Sequence, residues 1–591
     1  MGNEAIALGA LRAGVGFVSG YPGTPSTEVL ETCAKMRPEG LYVEWSINEK
    51  AALEAAAGAA YAGVRALVTM KQVGLNVACD PLMSLAYVGV KGGMVVLVAD
   101  DPGPISSQTE QDTRTFAQYA KLPVFDPSTP EEAYAMIGDA FALSEELGTP
   151  VLFRPTTRVC HGCAAIEAPD VLPVLGHGHF EKSPRWVIFP KLSYENHQKI
   201  ERRNRALSER LSNYAPNRVS GEGRMGIATG GASYGYVREA LGEHAPKLLR
   251  VATPFPFPEP LAVSFLQSVD RVLVLEELDP CIERALIFLC GKYHLKTEIL
   301  GKLTDDAPCA GELSVEICER CLSAYLGLSL ERARPAIAPP PPLPVRPPVL
   351  CAGCPHRASF YAVKRAMKGQ RATFSGDIGC YTLGNVKPLD MVDTCLCMGA
   401  GITVAQGLAR AEPDVAHFAF VGDSTFFASG LTGVVNAVYN GTDIILIVLD
   451  NATTAMTGHQ PHPGTGRTMM GDRQSKVSIP GILTAMGVAS VETIDPFDQV
   501  AAMDAVKRAV LCAGVRAIIF KAPCIALEKG GVPCQVDASA CVGCKKCVSE
   551  LGCPALFLKG GKAMIDAQLC NGCGLCAGLC PVDAIKGGTH K

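Results

Sequence analysis

The chain has 591 residues, too many for one hydrophobic core, and reads as about three to five domains. Apolar residues make up 48% of it, charged residues 19%, and the formal net charge is −4, which excludes a general basic field for nucleic acid. No apolar stretch reaches the roughly 20 residues of a membrane span, and the first residues, MGNEAIALGALRAGVGFVSG, lack a secretory pattern, so a cytoplasmic protein without membrane or nucleic-acid partners is expected.

In chain order, residues 1–165 alternate strand and helix signals. VGFVSG runs into the turn YPGTPS, and RALVTM, GMVVLVADD and PVLFRPTT follow, with helical segments such as EKAALEAAAGAAYAG between them. That alternation predicts a parallel sheet covered on both faces. Residues 166–224 read as a connector whose charged part, ENHQKIERRNRALSERLSNYAPNR, predicts an exposed helix. A second α/β unit spans 225–330 and includes the strand RVLVLEEL. Residues 331–349, PAIAPPPPLPVRPPV at their centre, predict an extended linker. A third α/β unit, 350–528, has its clearest strands at HFAFVGDS and DIILIVLDN, and a cysteine-rich tail occupies 529–591.

Eight of the 25 cysteines fall between Cys541 and Cys580 at regular spacing. Cys541, Cys544 and Cys547 precede Cys553-Pro554; Cys570, Cys573 and Cys576 precede Cys580-Pro581. Two-residue gaps let three thiolates on one loop converge on one cubane, and the pre-proline cysteine of each run reaches the other cluster. One 4Fe–4S cluster is therefore assigned to Cys541, Cys544, Cys547 and Cys580, the second to Cys553, Cys570, Cys573 and Cys576. Zinc also accepts CxxC spacing, but two CxxCxxC runs each followed by Cys-Pro disfavour it. The first run has five residues before Cys553 where three are usual, and the extra loop, VSELG, is expected to bulge outward. The segment resembles bacterial two-cluster ferredoxins.

In the third unit, Gly422, Asp423 and Ser424 end one strand, and Asn451, Ala452 and Thr453 end the next. This resembles the signature of thiamine diphosphate enzymes. A carboxylate, an amide oxygen and the Thr453 carbonyl suit Mg²⁺. The helix after Ser424 would aim N–H groups at a diphosphate, and Gly422 would let the backbone approach it. Gly379, Cys380, Met398 and Gly399 resemble segments lining the cofactor in 2-oxo acid:ferredoxin oxidoreductases. His459 and His462 are candidate active-site groups. Cys351, Cys354, Cys395 and Cys397 read as buried or cofactor-proximal thiols; Cys160 and Cys163 receive no role.

Such a cofactor needs a carboxylate against N1′ of its aminopyrimidine, supplied in this superfamily at a helix start in a separate domain. Glu49, in YVEWSINEKAALEAAAG, stands at the matching position, with Glu44 and Glu54 as competitors; burial would raise its pKa. Thr24, in the turn GYPGTPS, is a candidate for the substrate carboxylate, and Lys71 and Gln72 for the same pocket.

Taken together, GYPGTPS, CAGCPHR, DNATTAMTGHQPHPGTG and the cysteine tail resemble the alpha subunits of indolepyruvate:ferredoxin oxidoreductases over nearly the whole chain. The resemblance implies an α/β multidomain fold: thiamine diphosphate-binding parallel-sheet domains, a transketolase-C-terminal-like domain and a two-cluster ferredoxin-like domain. It implies oxidation of an aryl 2-oxo acid, with coenzyme A as co-substrate and ferredoxin as electron acceptor. It implies a smaller beta subunit in an assembly of two alpha and two beta chains. The alternatives are a non-oxidative thiamine diphosphate decarboxylase, which has no use for the tail, and a non-catalytic electron-transfer subunit, which has no use for Asp423, Asn451 and Glu49.

Overall fold

The computed structural model describes residues 1–168, 172–173, 178–330, 341–344, 346–528 and 530–588. Most of the expected linker's core, 331–340 and 345, lies outside the described residues. The chain divides into two compact units, 1–338 and 339–591.

The first unit holds two sheets. Six strands form the first: β1 (Phe17–Gly20), β2 (Tyr42–Trp45), β3 (Ala66–Lys71), β4 (Met94–Ala99), β5 (Val124–Phe125) and β6 (Val151–Phe153). Their order is β2-β1-β3-β4-β6-β5, with every pairing parallel. β3 and β4 are almost fully buried because helices cover both faces, which is why they read as unbroken apolar runs. The second sheet contains β7 (Arg218–Ser220), β8 (Glu222–Gly230), β9 (Pro246–Val251), β10 (Arg271–Leu275) and β11 (Glu298–Leu300), ordered β11-β10-β8-β9-β7. It starts at Arg218, inside the expected connector; β7 is an antiparallel edge, too short and polar to stand out in the sequence. The charged segment forms helix Pro190–Leu211, as expected, but it buries Ile200, Leu207 and Leu211. Its Arg203 donates to the Lys121 carbonyl and its Ser208 to that of Phe257, so it is a packed strut between elements of this unit.

A buried charge network ties the two sheets of this unit together. Arg114 pairs with Asp112 and Glu276, each at 2.7 Å, and donates to the carbonyls of Glu277 and Asp279 beyond β10. Arg154 meets Asp100 at 2.7 Å and Asp126 at 3.1 Å.

The second unit is built on β12 (Ala372–Ser375), β13 (Ala416–Gly422), β14 (Ile444–Asp450), β15 (Ser490–Ile494) and β16 (Val515–Lys521), all parallel and ordered β12-β13-β14-β16-β15. The cysteine-rich tail adds two antiparallel ribbons, β17 (Gln535–Val536) with β20 (Ile585–Lys586), and β18 (Leu556–Lys559) with β19 (Lys562–Ile565). The tail shares one apolar core with the helices on that face of the sheet: Leu551, Leu556, Leu575 and Leu579 cluster with Phe360, Tyr361 and Val363.

Candidate functional site

In the second unit, adjacent parallel strands β13 and β14 end side by side, and their carboxyl ends carry Asp423 and Asn451. Carboxyl ends of such strands are where open α/β sheets take ligands. The Asp423 carboxylate is 3% exposed, Asn451 5% and Thr453 4%. Asp423 Oδ2 accepts from the Asn451 N–H at 3.1 Å, the Ala452 N–H at 2.8 Å and His462 Nε2 at 3.1 Å. Oδ1 accepts only the Ser424 N–H, at 2.8 Å, among the hydrogen bonds of the described residues. Asn451 Oδ1 accepts from the Thr453 N–H at 3.2 Å, while its Nδ2 lies 3.1 Å from His356 Nε2. Burial drives the His356 pKa down to about 4, so the ring is neutral at pH 7 and Nε2 can accept. The Thr453 N–H, which only the amide oxygen can accept, fixes which end of Asn451 is oxygen, and that oxygen belongs to the same corner as the Asp423 carboxylate. Hard oxygen donors in one buried corner fit a small divalent ion with a diphosphate.

Helical structure starts at Asp423, passes through a π-helical stretch at Phe426–Gly430 and continues as Leu431–Tyr439. Such a stretch is frequent at functional sites. A Cβ at Gly422 would lie 2.4 Å from the Tyr381 ring, and one at Gly379 2.5 Å from it, so both glycines make room for this tyrosine. Tyr381 donates to Asp377 at 2.9 Å and lies 3.1 Å from the Thr425 hydroxyl. Asp377, whose pKa burial lifts to about 6, also accepts the Gly399 N–H at 2.7 Å. Gly399 adopts φ +80°, and a Cβ would meet Ser429 Oγ at 2.5 Å; the same hydroxyl donates to the Met398 carbonyl at 2.9 Å. Gly379, Cys380, Met398 and Gly399 are thus gathered around Asp377 and Tyr381, which sequence reasoning passed over.

The structure separates the two candidate histidines. His462 is buried against Asp423, whereas His459 is exposed, held by its backbone in a turn at φ +66°. The His459 backbone N–H donates to the Thr454 carbonyl at 3.0 Å, and among the described residues no hydrogen bond or ion pair joins its side chain to Asp423. His356, in CAGCPHR, is a site residue that the motif does not signal, because its partner Asn451 lies 95 positions away.

In the first unit, Glu49 opens helix Glu49–Tyr61, after the N-cap Asn48, whose side chain accepts the Ala51 N–H at 2.8 Å. Its carboxyl is buried, which pushes its pKa up to about 7 against an opposing pull from Lys71. The competitors differ: Glu44 is held by Tyr42 and Ser46, and Glu54 pairs with Lys50 in solvent. The carboxyl sits over Gly74, where a Cβ would come within 2.5 Å of Glu49 Oε1. The loop after β4 gathers the remaining candidates. Ser106 donates to the Thr24 carbonyl at 3.2 Å, and its own carbonyl accepts Lys71 Nζ at 3.2 Å. Ser107 donates to Gln72 Oε1 at 3.3 Å, and Asp101 anchors both serine N–H groups. Burial lowers the Lys71 pKa.

The tail cysteines line two separate cavities. Cys541, Cys544, Cys547 and Cys580 line one of about 330 Å³, and Cys553, Cys570, Cys573 and Cys576 line another of about 440 Å³. Among the described residues no group of His, Cys, Asp or Glu converges on a single ion. Four thiols around a cavity suit a cubane. The insertion before Cys553 does not bulge outward. It forms helix Lys546–Leu551, closed by Gly552 at φ +59°, and Glu550 accepts a 2.7 Å hydrogen bond from Tyr361. The larger cavity also contains a fifth thiol, the buried Cys534. Burial raises the pKa values of Cys380 and Cys524, each with a further push from nearby Cys351, and Cys354 is buried beside Cys351, so these thiols form one neighbourhood rather than unrelated core residues.

Family models match along the chain. "Pyruvate flavodoxin/ferredoxin oxidoreductase, thiamine diP-bdg" matches residues 8–182, "Thiamine pyrophosphate enzyme, C-terminal TPP binding domain" residues 377–520, and "4Fe-4S binding domain" residues 563–586. The chain is 42% identical over 555 residues to an indolepyruvate oxidoreductase subunit IorA of Methanothermobacter thermautotrophicus, covering 91% of this chain and 88% of that one. It is 40% identical to the corresponding protein of Archaeoglobus fulgidus (89% and 86% covered) and 39% identical to that of Pyrococcus abyssi (89% and 85%). The chain belongs to the indolepyruvate oxidoreductase IorA family and is a thiamine diphosphate-dependent 2-oxo acid:ferredoxin oxidoreductase with a 4Fe–4S domain.

Proposed function

We propose that this chain oxidatively decarboxylates an aryl 2-oxo acid of the indolepyruvate type to acyl-CoA and CO₂, passing the electrons through two 4Fe–4S clusters to ferredoxin. The observation that carries the reading is one helix, Pro355–Ala366. Its His356 holds Asn451 at the carboxylate corner, and the next residue, Arg357, lines the cavity of Cys553, Cys570, Cys573 and Cys576. A decarboxylase needs no such neighbour, and a pure electron carrier needs no such corner.

Thiamine diphosphate, when bound, supplies the nucleophilic carbon and the electron sink that decarboxylation requires. Asp423, Asn451 and the Thr453 carbonyl would hold Mg²⁺ for the diphosphate. Glu49, with a pKa near neutrality, holds and returns a proton at the aminopyrimidine N1′. Lys71 and Thr24 face the substrate carboxylate. The cavity of Cys541, Cys544, Cys547 and Cys580 has exposed walls at Val542, Cys544 and Lys545, which suits the exit toward ferredoxin. A smaller beta subunit completes an assembly of two alpha and two beta chains. The described cysteines are unpaired thiols, consistent with a reducing cytoplasm. Among the described residues no helix is long and apolar enough to cross a membrane.

The test is an anaerobic assay of the assembled complex with indolepyruvate, phenylpyruvate and a branched 2-oxo acid, each with coenzyme A and a viologen dye. Coenzyme A-dependent dye reduction, fastest with the aryl acids, is expected. CO₂ release without dye reduction would replace this reading with a non-oxidative decarboxylase.

A further inference from the structure

Arg357 is 4% exposed, an unusual place for a guanidinium. One of its terminal nitrogens donates to the carbonyls of Leu551 at 2.5 Å and Gly552 at 2.9 Å, and the other donates to the carbonyl of Leu350. Those contacts pin its plane and clamp the backbone immediately before Cys553. Its Nε–H is buried and has no partner. The same side chain lines the cavity bounded by Cys553, Cys570, Cys573 and Cys576, and its charge interacts with Cys553 and Cys573. Arg357 is the one cation among the described residues lining that cavity. The other cavity has only Lys545, which is exposed and so hydrated.

A buried N–H donor without an acceptor is costly, and native structures rarely keep one unless a missing group satisfies it. Besides the Asn571 side chain, which takes no hydrogen bond from the Arg357 Nε–H, the side-chain acceptors lining this cavity are sulfurs. We propose that Arg357 donates its Nε–H to a sulfur of the 4Fe–4S cluster in this cavity and thereby raises that cluster's reduction potential. The inference rests on the assignment of a cluster to these four cysteines. In the step concerned the cluster gains one electron from substrate oxidation and no group is transferred. The added negative charge is stabilised by a fixed cation and a hydrogen bond, both of which shift cluster potentials upward. Lysine cannot replace it, because an ammonium lacks the rigid fork that holds three carbonyls and still presents a fourth N–H. Arg357 thus tunes the cluster that takes up the electron.

Two measurements test this on the assembled holoenzyme. In parent protein labelled with ¹⁵N-arginine, pulsed EPR of the reduced clusters should detect nitrogen coupling at the cluster that Cys573→Ser removes; absence of that coupling overturns the proposal. In a potentiometric titration followed by EPR, Arg357→Met should lower that cluster's midpoint and Arg357→Lys should lower it less. The cluster lost in Cys544→Ser serves as control and should not move. Unchanged midpoints at parental iron content, or equal shifts in both clusters, overturn it. If Cys573→Ser leaves the parent's spectrum intact, the cluster assignment itself is wrong, which is a separate failure.

Discussion

Replacing Gly74 by alanine tests the placement of Glu49 without touching the glutamate. A Cβ at position 74 would lie 2.5 Å from Glu49 Oε1, 2.8 Å from Cγ and 2.9 Å from Cδ, so the carboxyl must retreat by about 0.9 Å to reach ordinary contact. Misplacing a catalytic group by about 1 Å can cost on the order of 100-fold in rate. The effect on folding is much smaller. Alanine gains up to about 1 kcal/mol of helix propensity in Gln72–Val88, against a crowding cost of about 1–3 kcal/mol. The expected outcome of Gly74→Ala is therefore a fall of roughly 100-fold in kcat for 2-oxo acid-dependent viologen reduction, with KM, iron content and thermal unfolding nearly parental. A Gly74→Ala enzyme with parental kcat would show that Glu49 does not act from this position, and the activating carboxylate would have to be sought elsewhere.

Three further outcomes follow from the same geometry. Glu49 has a pKa lifted from its ordinary 4.5 to about 7, so the folded state binds the extra proton and stability is lost as pH rises through that window. Relative to Glu49→Gln, cofactor-free parent protein should lose about 3 kcal/mol of unfolding free energy between pH 4.5 and 8, read from denaturant titrations; a pH-independent difference would refute the burial argument. Arg114→Met leaves Asp112 and Glu276 buried and uncompensated and should destabilise the first unit by about 3–5 kcal/mol, measured by denaturant unfolding. Two cubanes require about eight irons per chain by elemental analysis. A higher content that falls when Cys380→Ser is introduced would mean that the neighbourhood of Cys351, Cys354, Cys380 and Cys524 also binds iron.

What could be read from the sequence is what local spacing determines. CxxCxxC brings three thiols onto one loop whatever surrounds it, and both cavities are lined by the sets that the crossed pre-proline pattern suggests. Asp423 and Asn451 lie 28 positions apart, and a strand–helix–strand unit delivers them to adjacent strand ends. The parts that were not legible depend on side chains meeting across long separations. His356 reaches Asn451 over 95 positions, and the proximity of Gly74 to Glu49 depends on how two helices pack. That Gly422 must also make room for Tyr381 is not legible, because Tyr381 lies on a turn whose path the sequence does not encode locally. His459 and His462 are indistinguishable by pattern, and only the fold of the intervening turn sends one to the carboxylate and the other to solvent. Likewise, VSELG counted as an excess loop until Arg357 and Tyr361 supplied partners for it.

The most direct test of the whole account is freeze-quench EPR of the anaerobic holo complex mixed with an aryl 2-oxo acid. Reduced 4Fe–4S signal should appear within the turnover time in the parent and be absent in Asp423→Ala, while dithionite still reduces the clusters of both. Substrate-driven reduction that survives Asp423→Ala would mean that electrons enter the iron–sulfur tail from somewhere other than the corner formed by Asp423 and Asn451.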